Sequence, residues 1–222
     1  MIPPPMRFAL LPMKPLAMAK TRLAAGLGDS ARAAVSLAMY TDVLEALLRA
    51  RFVEKVLVVS ADRRLLDIGA SSGAIVVDEG TPRGLNGAVA LGTERAIAEG
   101  AASVLVVLSD LPFVTAEDVD SLYRDLPPPP HVRLVRSHEG LGTNAILRSP
   151  PGVVSTRFGG RSYQDHRAAA VDAGIPFSEI EAPGLSFDVD TMDDLQELTL
   201  MSRRTHTYFE AQKIGLIPAR LS

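Results

Sequence analysis

The chain has 222 residues with 47% hydrophobic content, enough for one well-buried domain and short for two. Its formal charge of −3 and pI near 5.8 exclude a broad basic face that wraps nucleic acid. The absence of cysteine excludes disulfides, thiolate metal sites and cysteine nucleophiles.

The segment Met1 to Arg7 lacks the apolar core of a signal peptide, and no stretch reaches about 18 continuous apolar residues, so a cytoplasmic protein off the membrane is expected. Phe8 to Leu11 predicts a first strand, ended by Pro12 and Pro15, which deny the ladder its donors. The loop that follows carries Lys14, Lys20 and Arg22, three cations within nine positions. In an open α/β sheet a loop at that place can neutralise a triphosphate; the same residues also suit a solvated basic loop.

Asp29 or Ser30 caps a predicted helix through Arg49, in which Val35, Leu37, Val43, Leu44 and Leu47 recur at helical spacing. Val56 to Val59 predicts a buried parallel strand, Asp62 to Ile68 a short helix, and Ala74 to Val77 a third strand. The polar, Gly-rich connection Asp78 to Gly87 feeds a helix predicted from Ala88 to Glu99. Asn86 and Gly87 then either meet the polar edge or phosphate of a nucleotide at the helix N-terminus, or form an Asn cap with a glycine beside it.

Ser103 to Leu108 predicts the clearest buried strand, and Ser109-Asp-Leu-Pro112 stops it with Asp110 just past its carboxyl end. A carboxylate there can hold Mg²⁺ against nucleotide phosphates, or bond turn backbone ahead of Pro112. Thr115 to Asp118 resembles a capping box opening a helix to Asp125, and Pro127 to Pro130 form a stiff extended spacer. Val132 to Val135 and Ala145 to Leu147 predict two strands around a Gly-rich turn. There backbone N–H groups and the Thr143 hydroxyl can converge on an anion, although a plain hairpin turn uses the same residues.

Ser162 is the expected N-cap of a helix running to Ala173, and its hydroxyl, beside Gly159, can also receive a phosphate or carboxylate. Arg161 and His166 can add charge there, against a general tendency of helix-face histidines to be solvated or packed. Phe177 to Ile180 predicts a last strand. Period-2 alternation puts Asp188 and Asp190 on one face of an extended segment, able to converge on one cation, while Asp190 or Thr191 caps a helix predicted from Met192 to Met201. The tail beyond Ser202, with Arg203, Arg204 and His206, carries no legible chemistry.

In their order and spacing, six motifs resemble the 2-phospho-L-lactate guanylyltransferase family, which includes the phosphoenolpyruvate and 3-phosphoglycerate guanylyltransferases. They are Leu11-Pro-Met-Lys-Pro-Leu-Ala-Met-Ala-Lys-Thr-Arg-Leu23, Gly84-Leu-Asn-Gly87, Ser109-Asp-Leu-Pro112, Gly142-Thr-Asn-Ala145, Phe158-Gly-Gly-Arg-Ser162 and Phe187-Asp-Val-Asp-Thr191. The resemblance implies a single-domain α/β fold, a Rossmann-like nucleotidyltransferase sandwich with a mostly parallel central sheet, its core at 7–202 and a tail at 203–222. It further implies GTP and a small phospho-acid as substrates, Mg²⁺ as cofactor, and a product passed to a downstream deazaflavin transferase in coenzyme F-420 biosynthesis. Carried over position by position, Lys14, Lys20 and Arg22 would hold the triphosphate, Asp110, Asp188 and Asp190 the Mg²⁺, and Thr143, Gly159 and Ser162 the phospho-acid. The chain departs from many members at Ser137-His-Glu-Gly-Leu141, where an Asp-rich and Gly-rich approach is usual. A homodimer is the default assembly. The rival expectations are a molybdopterin guanylyltransferase, a sugar-phosphate cytidylyltransferase, and a nucleotide-binding module without turnover.

Overall fold

Alternation along the central strands sorts their side chains between two cores. The computed structural model describes residues 6–198 and 203–217. In β1 (Met6–Pro12), Ala9 and Leu11 face one cluster and Phe8 and Leu10 the other. The same division runs through β2 (Lys55–Ser60) and β4 (Ala101–Val107), whose apolar residues are buried on both faces. This is why these strands read as continuous aliphatic runs.

Seven strands form one sheet in the order β3-β2-β1-β4-β6-β5-β7, with β3 at Ile75–Asp78, β5 at His131–Arg136, β6 at Thr143–Ser149 and β7 at Phe177–Glu179. β1 pairs in parallel with β2 and with β4, whereas β6 runs antiparallel to both β4 and β5. On one face lie α1 (Asp29–Arg49), α2 (Arg63–Ser71) and α4 (Ala116–Ser121), with Tyr40, Leu44, Leu65 and Val119 in the first core. On the other lie α3 (Gly84–Ala98) and α5 (Ser162–Asp172). The chain moves outward from β1 through β2 to β3 and then returns to β4 on the far side of β1. The carboxyl ends of β1 and β4 therefore flank a topological switch point, where open α/β sheets form their ligand crevice.

A third apolar cluster joins distant segments behind that crevice. It combines Leu23 and Leu27 of the basic loop, Val35 and Met39 of α1, and Val189 of the Asp-Val-Asp segment with Tyr208 and Ala211 of α8 (His206–Lys213). Asp42 of α1 anchors α8 by accepting from His206 N, Thr207 N and Thr207 Oγ1 at 2.7, 3.0 and 2.6 Å. Residues 203–217 of the tail thus pack onto α1.

Several expected boundaries shift. α3 begins at Gly84 rather than Ala88, because Gly84 at φ +72° makes the turn and the next residues enter the helix at once. Ser162 is the first helical residue of α5, with Arg161 at the cap position, so the serine hydroxyl is spent elsewhere. The Thr115 box is complete but α4 ends at Ser121, short of Asp125. Thr191, not Asp190, caps α7 (Met192–Glu197) in a box with Asp194; the predicted continuation to Met201 reaches outside the described residues. A short α6 (Pro183–Ser186) intervenes before the Asp-Val-Asp segment.

Gly92 marks the closest approach of α3 to the sheet. A Cβ there would overlap Leu10 Cδ1 and stand 2.8 Å from Val59 Cγ2, both in a filled core. Gly92→Ala should gain about 1 kcal/mol of helix propensity and lose about 1–3 kcal/mol to overpacking. A lower midpoint in thermal unfolding is the expected result.

Candidate active site at the carboxyl ends of the strands

The loop after β1 is pinned at three points before it reaches Lys20. Met13 N donates to Val59 O, Leu16 N donates to Asp62 Oδ2, and Arg32 of α1 donates to Ala19 O at 3.2 Å. Lys20 follows in the left-handed region at φ 48°, ψ 48°. For a residue with a Cβ this costs about 1–2 kcal/mol, so the surrounding anchors must hold it. The effect is to turn the Lys20 ammonium inward, 2.6 Å from Asp110 Oδ2 and 2.6 Å from Asp190 Oδ1. Arg22 NH1 lies 3.2 Å from Asp190 Oδ2 and is mostly exposed, and Lys14 is exposed at the mouth.

The charges are mutually sustaining. Burial alone would lower the Lys20 pKa, but Asp110 and Asp190 outweigh it and hold the ammonium above its usual value. Burial would likewise raise Asp190, and Lys20, Arg22 and Lys14 overcome it, keeping this carboxyl below the usual range. Asp188 behaves differently: burial raises it, Asn144 opposes, and the neighbouring Asp110 and Asp190 raise it further. Its Oδ1 accepts from Asn144 Nδ2 at 3.0 Å and lies 3.2 Å from His138 Nδ1. The His138 ring stacks on Phe187 with centroids 5.1 Å apart.

Asp110, past the carboxyl end of β4, thus meets Asp188 and Asp190 of the segment ahead of α7, with Val189 N donating to Asp110 O to fix their spacing. The Lys20 ammonium occupies the place between Asp110 and Asp190 that a free cation would take. Among the described residues no three carboxylates or imidazoles are gathered as a metal cage. Two hollows open beside the cluster and share Met13, Lys14, Ser109 and Asp110. One, of about 290 Å³, contains Lys20, Arg22 and Asp190; the other, of about 400 Å³, is more apolar and reaches Leu85 and Ala88 at the start of α3.

Thr143 and Ser162 stand together at the next strand. Thr143 N donates to Ser162 Oγ at 2.8 Å, and His166 Nδ1 lies 3.0 Å from Thr143 Oγ1. Gly159 is exposed in the turn ahead of α5, its carbonyl accepting from Ser162 N. Asn144, next to Thr143, bonds Asp188, and its carbonyl accepts from Leu108 N at the end of β4, so this turn and the acids belong to one site.

Some sequence expectations need correction. Asn86 has both ends of its amide committed to Phe158, Nδ2 to the carbonyl at 2.9 Å and Oδ1 from the N–H at 2.8 Å, so it braces the Gly159 turn instead of presenting a free polar edge to a nucleotide. Gly87 lies within the first turn of α3, where a Cβ would press on Arg83 Cβ. Arg161 pairs with Gln164 on the surface. His166 adds no charge: burial first, then Arg148, push its pKa down to about 4. Asn144, His138 and the tie from His166 to Thr143 went unread. The available signal was spacing, since His166 lies four positions after Ser162 and so on the same helix face.

The neutral His166 has a consequence for stability. Its folded pKa of about 4 lies below the unfolded 6.5, so its contribution is complete above pH 6.5 and is lost as pH falls towards 4. Stability of the native chain relative to His166→Asn should therefore drop by about 2 kcal/mol between pH 7 and pH 5. Denaturant titrations of both proteins at the two pH values measure this difference; a pH-independent gap would show that His166 is not held neutral.

Matches to known proteins bear on the family and the fold. The family described as guanylyl transferase CofC like matches residues 6–218. A phosphoenolpyruvate guanylyltransferase of Sphaerobacter thermophilus is 39% identical over 191 residues, covering 86% of this chain and 91% of the relative. A 2-phospho-L-lactate guanylyltransferase of Methanothermobacter thermautotrophicus is 34% identical over 214 residues, covering 96% and 93%. In fold, a solved nucleotidyl transferase of that same organism superposes with a TM-score of 0.65 at 14% identity, covering 87% of this chain and 95% of its own.

Proposed function

The chain belongs to the CofC-like guanylyl transferase family, and on that premise we propose that it moves GMP from GTP to the phosphate of a small phospho-acid, releasing pyrophosphate. The observation that carries this reading is one juxtaposition at the switch point: a cation bridging two carboxylates, beside the paired hydroxyls of Thr143 at the start of β6 and Ser162 at the start of α5, each already accepting one hydrogen bond. The cluster suits a polyphosphate and its counter-ion. The hydroxyls suit a second anion.

In the reaction an oxygen of the acceptor phosphate attacks the α-phosphorus of GTP, forming a P–O bond as the bond to the β-phosphate breaks. The acceptor phosphate is already ionised at neutral pH, so no protein base has to generate the nucleophile. The protein's task is to bring two anions together in line and to offset their charge. Lys14, Lys20 and Arg22 hold the triphosphate and stabilise the departing pyrophosphate. The apolar hollow at the start of α3 receives the base. Thr143 and Ser162 donate hydrogen bonds from their hydroxyls to the phospho-acid, with the Gly159 turn lying open for close approach.

Asp110, Asp188 and Asp190 are the residues that would hold Mg²⁺, although they are not gathered as a cage while Lys20 bridges two of them. Asp110 Oδ1 is buried without a hydrogen-bond partner among the described residues, and Asp110 and Asp190 add only hard carboxylate oxygens. When bound, Mg²⁺ supplies charge neutralisation and polarisation at the α-phosphate. Lys20 neutralises two of these acids, and an incoming triphosphate competes with them for the ammonium.

The acceptor is phosphoenolpyruvate, 2-phospho-L-lactate or 3-phospho-D-glycerate. The product serves a downstream deazaflavin transferase in the making of coenzyme F-420, in the cytoplasm. The test is pyrophosphate release from GTP and Mg²⁺ with each acid in turn, trapping the labile product with the downstream transferase. Release with one of the three supports the reading and identifies the acceptor. GTP binding with no release for any of them would leave a nucleotide-binding module or another nucleotidyltransferase.

A further inference from the structure

We propose that His166 is a positioning residue that orients the Thr143 hydroxyl so that its proton is directed toward the anionic end of the acceptor substrate. This rests on the reading that Thr143 and Ser162 receive the phospho-acid. Arg157 N lies 2.8 Å from His166 Nε2, and a backbone amide can only donate. Nε2 therefore holds a lone pair, and the ring proton sits on Nδ1. Nδ1 in turn lies 3.0 Å from Thr143 Oγ1 and must donate to it. With that acceptor site filled, the threonine's own proton points elsewhere, and among the described residues nothing else takes it.

The arrangement is built, not incidental. His166 is fully buried, and Phe158 packs edge-on against its ring at 5.0 Å. Phe158 is itself held by two hydrogen bonds with Asn86 of α3, accepting one at its carbonyl and donating one from its N–H. One turn earlier on α5, Ser162 Oγ accepts from Thr143 N, so two helix residues four apart both bond Thr143, one at its hydroxyl and one at its backbone. Both hydroxyl protons are left for a ligand. The backbone of the Arg157–Ser162 turn thus sets the tautomer, and the tautomer sets the direction of the threonine hydroxyl.

Asparagine and glutamine divide the imidazole between them. His166→Asn keeps a donor at the Nδ1 position, whereas His166→Gln keeps a group only at the Nε2 position. The expected result is that His166→Ala and His166→Gln raise KM for the phospho-acid about tenfold with KM for GTP unchanged, and that His166→Asn recovers most of the loss. In a Thr143→Ala background, replacing His166 should add little, since its effect passes through that hydroxyl. Equal and additive effects in both backgrounds, or Gln recovering as much as Asn, would overturn the proposal. Should His166→Ala fail to fold, the comparison of Asn with Gln decides. Nitrogen-15 NMR of the ligand-free native chain gives a readout independent of substrate: a protonated Nδ1 and bare Nε2 are expected, and the opposite tautomer contradicts the proposal. If the native enzyme accepts no phospho-acid while the NMR shows the expected tautomer, it is the substrate reading that has failed, and the hydrogen-bond relay stands.

Discussion

Lys20→Met should lower kcat for pyrophosphate release by about 10²–10³-fold, the scale seen when one preorganised electrostatic group is lost. Methionine keeps the apolar stem and removes the ammonium that lies 2.6 Å from two carboxylates. The loss acts twice. GTP loses a buried donor for its phosphates, and Asp110 and Asp190 face each other and Asp188 without a bridging cation, which raises the cost of keeping all three ionised. The second effect predicts a separate observation: Mg²⁺ without nucleotide should raise the thermal midpoint of Lys20→Met more than that of the native chain, because the competing ammonium is gone. A variant with near-native kcat would place the triphosphate elsewhere.

Asp110→Asn should lower turnover by roughly 10²-fold at saturating Mg²⁺ and GTP. The substitution is nearly isosteric and leaves the backbone bond from Val189 N to Asp110 O intact, so the shape of the cluster survives. It removes the negative charge that pairs with Lys20 and replaces a carboxylate oxygen, the buried and unpartnered Oδ1, with a group unable to serve a hard cation as well. Steady-state kinetics separate this from unfolding if the thermal midpoint is measured alongside. Turnover close to native at saturating Mg²⁺ would remove Asp110 from the metal site.

The strands were legible because burial on both faces leaves a continuous aliphatic run, as in Val104 to Val107, that few other structures tolerate. The start of α3 was not, since two glycines in Gly84-Leu-Asn-Gly87 argue locally for a loop while packing of Ala88 and Val89 on the sheet holds the segment helical. Alternation put Asp188 and Asp190 together, yet their partners come from Lys20 and Asn144, far away in sequence. Which acid pairs with lysine and which with asparagine depends on the order of strands, and periodicity carries no such information. His138 and His166 illustrate the same limit: each is unremarkable in its own segment and acquires a role from a neighbour on another element. The tail was illegible for a different reason, because its helix is short and its attachment depends on Asp42 accepting three hydrogen bonds inside α1.

The most direct measurement is the fate of GTP labelled in its α-phosphate, incubated with Mg²⁺ and each phospho-acid and compared with GTP labelled in its γ-phosphate. Attack at the α-phosphorus requires the α-label to appear covalently in the phospho-acid product and the γ-label in pyrophosphate, in equal amounts. An α-label released as free GMP, or a γ-label released as inorganic phosphate, would contradict guanylyl transfer at this site.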